Sequence, residues 1–572
     1  MARHVFLVAA PVGALVGTAV AGYDYVVNVL LWERLTHTFS VNVLSLLPIV
    51  AMVLTGVILE LFRVTSSSMA DEVVMAYHQR GSGIPYGTAI PKLVASVATM
   101  GFGASAGMEG ASKWLGGTLS SYAQVQLNRV RRLRWFHGRV ETTMLAGAAA
   151  GISAIFRAPL TGAIMGIESP YKHDLAHEAL VQGLVAAATS YATFAMLRPA
   201  TPYFPIDFVY QLNWRDLILC VPLGIVGGLA SHLFLACLKS IRSVCNRSQA
   251  PRLLKLTMGG VALSGLAWVT YRTIGQPVTL QAGLPVANAL LKGHFTLTAC
   301  VAIFVAKLLA TSITFGTGGV GGLFVPSATI GAALGATFDA LGHPSQPGLF
   351  TLVGIAAFTG ASYNSLLFAA VFVAEATGSP ALVVPSLIAS SMAFLVSAGI
   401  SNSESQRPRR ATDEAALASL RCGEWMTTRI VVAHERQTLD RFMERAIVEH
   451  GYSALPVVGP HGRFVGMTSL RSLRAIPRDR WSSTPIGEIT DRNAKTVCAA
   501  HSMANVEQAL ALSPHNYVPV VDEKTDQLIG ILSSSDVTRA REQVRDIKRI
   551  ALSNVTVMHP RTHAGIQKEP TP

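Results

Sequence analysis

Three glycine-rich segments hold the residue types best placed to do chemistry. Gly81-Ser82-Gly83-Ile84-Pro85 sets a serine hydroxyl among glycines, and Gly107-Met108-Glu109-Gly110 holds a lone carboxylate. Gly316-Thr317-Gly318-Gly319 leads into Gly321-Gly322-Leu323-Phe324-Val325-Pro326. Glycine lets backbone N–H groups come close to a ligand. Each segment lies just before an apolar run and can start a helix, whose free N–H groups and macrodipole favour negative charge. Several such helix ends at mid-membrane depth would hold a small anion without a full positive charge, which would grip it too tightly for fast release. A lone cluster would be read as close packing of membrane helices. Three clusters, one with a hydroxyl and one with a carboxylate, read as an anion site.

The elements that must position these segments are membrane helices. Of 572 residues 50% are hydrophobic and 14% charged, against about 25% charged in a soluble domain. Mean hydropathy is +0.41. The apolar residues fall within 1–400. Windows at 40–62, 142–167, 176–199, 217–238, 298–315 and 380–400 reach the length of a bilayer-crossing helix, about 20 residues. Those at 93–107, 321–338 and 350–374 are short or broken by glycine. The net charge of +13 comes from basic residues between apolar runs, such as Arg129, Arg131, Arg132, Arg134 and Arg139, then Lys239, Arg242, Arg247, Arg252 and Lys255. That is the pattern of positive-inside topology, not of nucleic-acid binding. From Leu217 to Phe338 there is no Asp or Glu against eight Lys or Arg. A cation path would want carboxylates at membrane depth, so the substrate is expected to be an anion. Residues 1–22 mimic a signal peptide, but the apolar pattern runs on to Trp32 and predicts a retained first helix. The six cysteines have neither CxxC nor framework spacing, so neither disulfides nor a zinc site is expected.

Two internal repeats are visible. Phe156–Glu168 (FRAPLTGAIMGIE) resembles Tyr363–Glu375 (YNSLLFAAVFVAE), each a small-residue apolar stretch ending in glutamate. A two-fold repeat suggests a transporter of two related halves. Further on, Tyr452-Ser-Ala-Leu-Pro456-Val-Val precedes Gly466 as Tyr517-Val-Pro519-Val-Val precedes Gly530. This second pair resembles a tandem CBS module of α/β build, expected at 422–550 after a polar linker at 407–421. Residues 551–572 have the composition of a disordered tail. The resemblance implies adenine-nucleotide binding at Ser533, Ser535 and Asp536, since Ser533-Ser534-Ser535-Asp536 fits the module's signature and the first repeat has Ser472 in place of that aspartate. The bland alternative is a serine-rich helix cap with Asp536 in the first turn.

Over residues 1–406 the chain resembles the CLC family of chloride channels and proton/chloride antiporters. GSGIP at 81–85 matches one family signature, GMEG at 107–110 resembles G-(K/R)-E-G-P with departures at Met108 and Ala111, and GGLFVP at 321–326 resembles G-x-F-x-P. Lys92 precedes Glu109 at the family's spacing. The resemblance implies a polytopic α-helical membrane domain of two inverted-repeat halves with broken helices, a homodimer in the bilayer, and a cytoplasmic CBS pair. It implies that Ser82, Gly83, Ile84, Gly107, Gly110, Gly322, Leu323 and Phe324 surround a chloride ion, with Glu109 as gate. A carboxylate among helix N-termini can itself occupy an anion site, and protonation would let chloride replace it.

Two departures bear on coupling. The second glutamate that passes protons in the family's antiporters falls at Ser169, right after Glu168, and a serine cannot be an ionised proton acceptor near neutral pH. Glu168 itself points about 100° around the helix and reads as structural. The inner-gate tyrosine that donates to the central anion falls at Ser403, and no tyrosine lies between Tyr363 and Tyr452. Both losses favour a passive, channel-like anion conductor over a proton-coupled antiporter. An enzyme is not expected: neither His177-Glu178 nor His434-Glu435 has the second histidine of a zinc-protease pair, since Val181 and Thr438 stand there. A CBS-linked magnesium transporter would need the missing carboxylates.

Overall fold

The computed structural model describes residues 2–79, 84, 86–130, 136, 138–199, 201–407, 417–444, 452–474, 476–540 and 543. The chain forms two compact units, Met1–Arg409 and Arg410–Pro572.

The first unit is helical. Eight helices among its described residues are long and apolar enough to cross a membrane: Phe6–Thr38, Val41–Leu61, His177–Leu197, Trp214–Arg247, Arg252–Ile274, Leu297–Gly316, Phe324–Gly342 and Pro380–Ser397. Arg252–Ile274 was hidden in the sequence because Thr257, Ser264, Thr270 and Arg272 dilute its apolar run. The window 142–167, which reads as one span, is two helices. Val140–Phe156 stops at Arg157, whose φ of 56° is left-handed, and Pro159–Glu168 begins two residues later. Proline lacks an N–H and so fits a first turn while ending whatever precedes it. The second half repeats the break without proline. Leu349–Tyr363 ends at Asn364, with φ 52°, and Leu366–Thr377 follows.

Short broken helices leave bare N–H groups, which a bilayer cannot hydrate. Glutamates meet that need. Glu168 accepts from the N–H groups of Leu367 and Phe368 at 3.1 and 3.0 Å. Glu375 accepts from those of Leu160 and Thr161 at 3.0 and 2.7 Å and from the Thr161 hydroxyl. Small residues bring the helices together: a Cβ on Gly116 would strike the Gly147 carbonyl, and one on Gly147 the Gly116 carbonyl. The repeated break and the matched glutamate caps relate the two halves of the helical unit.

The second unit holds two three-stranded sheets of identical plan. β1 (Ala433–His434) runs parallel to β2 (Ala454–Val458), which pairs antiparallel with β3 (Phe464–Ser469). β4 (Val497–Cys498), β5 (Tyr517–Val521) and β6 (Leu528–Ser533) repeat this order. Even the irregularity recurs, between Val457 and Val458 and between Val520 and Val521. The doubled Pro-Val-Val motif thus lies on the central strand of each sheet. A capping box, Ser502 with Asn505, starts the helix Met503–Ala511.

Candidate functional site

Two of the glycine loops meet back to back. The Gly107 N–H donates to the Gly322 carbonyl at 2.8 Å, and the Gly322 N–H returns to the Gly107 carbonyl at 2.6 Å. This bridge starts the helices Glu109–Arg129 and Phe324–Gly342 side by side. The Glu109 side chain turns across the gap. Its Oε1 accepts from the N–H of Phe324 and, at 3.3 Å, from that of Val325. Its Oε2 is buried without a partner among the described residues. The carboxylate therefore lies at the open N-terminus of the neighbouring helix, where backbone dipoles and free N–H groups suit an anion.

The surroundings are dry. The Phe324 ring lies 4.9 Å from Phe156, 4.9 Å from Phe368 and 4.8 Å from Phe372, and all four rings are fully buried. Water exclusion strengthens the charge–dipole attraction, because the local dielectric is low. Glycine is required where backbone and carboxylate touch. A Cβ on Gly322 would collide with Glu109 Oε1, and one on Gly107 with Oε2. Gly110 is a packing position, since its Cβ would come within 2.7 Å of the Gly321 carbonyl.

Several sequence-predicted residues stand differently from expectation. The Gly107 and Gly322 amides, read as facing an anion, donate to each other instead. Leu323 is the residue before its helix, and the donors to Glu109 are Phe324 and Val325. Ser403, read as the inner-gate position, does not offer a free hydroxyl. Its Oγ donates to Asp71, whose carboxylate also takes the Ser405 N–H at 3.1 Å and the Ser405 hydroxyl at 2.7 Å. A carboxylate outcompetes other acceptors for a nearby hydroxyl. The Ser169 hydroxyl is buried with no partner among the described residues, while its carbonyl accepts from Gln406 Nε2 at 3.1 Å. Ile84 is buried in the same apolar cluster as Ala111 and Trp114. Ser82 and Gly83 lie outside the described residues.

Lys92 pairs with Glu72, which also accepts from Trp114 Nε1 at 3.1 Å. Val325 and Asp71 escaped the sequence reading. Val325 follows the signature phenylalanine and could have been found by counting the free N–H groups of a first turn; Asp71 carries no local motif. In the second unit Asp536 accepts from the Ser533 N–H at 2.8 Å and the Ser533 hydroxyl at 2.6 Å and pairs with Arg539. Ser535 shares a hydrogen bond with Ser533 at 2.7 Å. This cluster closes on itself as a helix cap.

Comparison with known proteins fits this geometry. Residues 49–398 match the family model of the voltage gated chloride channel, and residues 422–478 and 486–543 match that of the CBS domain. An uncharacterised protein of Methanocaldococcus jannaschii is 26% identical over 368 residues, 64% of this chain and 88% of that protein. The H(+)/Cl(-) exchange transporter ClcA of Citrobacter koseri is 28% identical over 311 residues, 52% of this chain and 63% of ClcA. Among solved structures, a CLC-type fluoride/proton antiporter superposes with TM-score 0.61 at 22% identity, over 70% of this chain and 97% of its own. A eukaryotic CLC transporter superposes with TM-score 0.57 at 18% identity, over 93% and 98%. At such identities the structural likeness speaks to fold. With the apolar helices it makes the chain an integral membrane protein, and the family match over most of the helical unit carries the assignment: this chain belongs to the CLC family of voltage gated chloride channels and carries a C-terminal pair of CBS domains.

Proposed function

We propose that this chain conducts chloride, or a closely similar small anion, passively through the membrane, with Glu109 as the gate. The observation that carries this reading is the Glu109 carboxylate held by the N–H groups of Phe324 and Val325. In that position the side chain is itself the anion at the site and blocks it. Protonation removes the charge and weakens both charge-assisted hydrogen bonds. The carboxyl then leaves, and an ion from solution takes the same two N–H donors. Coupling to protons would need a second acid on the inner side, and Ser169, with its unpartnered hydroxyl, stands where the family's antiporters carry one.

A proton-coupled antiporter is the second reading. It is favoured by the relatives, since ClcA is named as an H(+)/Cl(-) exchanger and one structural neighbour as a fluoride/proton antiporter. Anion efflux from proteoliposomes, with pH followed at the same time, separates the two. Residues 1–406 would form the transport domain of a homodimer, and 422–550 a cytoplasmic regulatory module joined by the linker 407–421. Adenine-nucleotide binding at Ser533, Ser535 and Asp536 requires their cap to open; titration of the full-length protein with ATP, ADP and AMP tests it, and no heat with any of the three refutes it.

A further inference from the structure

We propose that Tyr363 and Asn402 supply the inner hydrogen-bond donors to the transported anion, in place of the tyrosine that position 403 lacks. The inference rests on the anion-conduction reading above and names the ligands on one side of the same site.

Four observations converge. First, the Ser403 hydroxyl is already given to Asp71, so the residue in the expected register cannot serve. Second, Tyr363 ends the helix Leu349–Tyr363 with its ring edge-on to Phe324, centroids 5.4 Å apart. Phe324 is the residue whose N–H holds Glu109. The Tyr363 phenol lies beside the Asn402 side chain. Third, Asn402 Nδ2 is buried with no acceptor among the described residues. A buried N–H without an acceptor is costly and rare. Its backbone is fixed, because the Asn402 N–H donates to the Ser362 carbonyl at 2.9 Å. The segment that follows is fastened too. Ser403 and Ser405 bind Asp71, and Gln406 reaches the Ser169 carbonyl. Fourth, the step equivalent to Tyr363 in the first repeat is Phe156, whose ring packs on the same Phe324 at 4.9 Å but carries no hydroxyl.

A phenol O–H and an amide N–H2 on two partly buried residues therefore sit together on the aromatic wall of the site, with no anionic acceptor of their own among the described residues. Both are neutral donors, so they can bind a halide and release it. A small monovalent anion that displaces the Glu109 carboxylate from Phe324 and Val325 would complete its shell with these two groups. The hydroxyl lost at position 403 is thus regained from a different helix, which the sequence at 401–406 could not reveal.

The test is calorimetric titration of the full-length protein in detergent with chloride and, separately, with fluoride. Wild type, Y363F, N402A and S403A are compared, each with its elution profile and melting temperature. One hydrogen bond to a charged ligand changes affinity by about tenfold or more. The expected result is that Y363F and N402A each weaken binding of the preferred anion about tenfold while eluting and melting as the wild type does. Wild-type affinity in both variants overturns the proposal alone, and so does a loss confined to S403A. A folded wild type that binds neither anion overturns the conduction reading and this proposal with it.

Discussion

Glu168 and Glu375 cap each other's helices. Glu168, at the end of Pro159–Glu168, holds the first N–H groups of Leu366–Thr377, and Glu375 in that second helix holds the first N–H groups of Pro159–Glu168. The three matched pairs, Glu168 with Glu375, Leu160 with Leu367 and Thr161 with Phe368, are separated by the same stretch of chain. The repeat visible in the sequence is therefore a mutual brace, which holds Phe156 and Tyr363 at corresponding places against Phe324.

The brace has a measurable strength. Hydrogen bonds to a charged acceptor contribute about 1.5–3 kcal/mol each. E168Q keeps the shape but loses the charge and is expected to lower stability by about 1–3 kcal/mol, with E375Q costing a similar amount. Thermal unfolding of the purified variants reads this. A large loss in one variant and none in the other would show that the two caps are not equivalent.

Removing the gating charge should flatten the pH dependence. On the proposed reading, protons would free the site of the wild type from its internal anion, and flux would rise as pH falls. E109Q mimics the protonated side chain and should conduct at neutral pH about as well as the wild type does in acid, with little change over pH 5 to 8. Anion efflux from proteoliposomes at stepped pH measures it. A variant as pH-dependent as the wild type would mean that another group titrates the gate.

Crowding the carboxylate should have a similar effect by a different route. G322A places a methyl group where Glu109 Oε1 lies. The carboxylate must leave Phe324 and Val325, and flux at pH 7.5 is expected to rise several-fold. G110A instead presses on the Gly321 carbonyl at 2.7 Å and should reduce stability. If G322A stayed as closed as the wild type at neutral pH, the carboxylate would not be the plug.

The second unit offers a thiol test. Cys422 is fully buried, its Sγ donates to the Cys498 carbonyl at 2.8 Å, and burial pushes its thiol up to about 11. The reactive thiolate is then scarce at neutral pH. Maleimide treatment of the native protein at pH 7 should leave Cys422 unmodified until denaturant is added, as peptide mass mapping would show. Prompt native labelling would mean that this unit opens readily.

The fold was legible where residue type and spacing act locally. GMEG and GGLFVP pointed to helix starts, and the Pro-Val-Val repeat to two matching sheets, because glycine and β-branched residues constrain the backbone next to them. The sequence failed where a contact joins distant segments. Nothing in Asp71 announces that it will take the Ser403 hydroxyl from the far end of the unit. Gly107 and Gly322 could not be seen to use up each other's amides, since that bridge links two halves of the chain. The window 142–167 looked like one span because apolar character survives the break at Arg157, and a left-handed arginine leaves no mark in hydropathy.

The most direct measurement is anion efflux from proteoliposomes holding the full-length protein, with external pH recorded in the same sample. The account predicts fast chloride efflux, accelerated by acid, that carries no protons and cannot drive them uphill. Proton uptake in fixed proportion to chloride efflux, persisting against a proton gradient, would contradict it and make this chain an antiporter whose inner proton path does not need an acid at position 169.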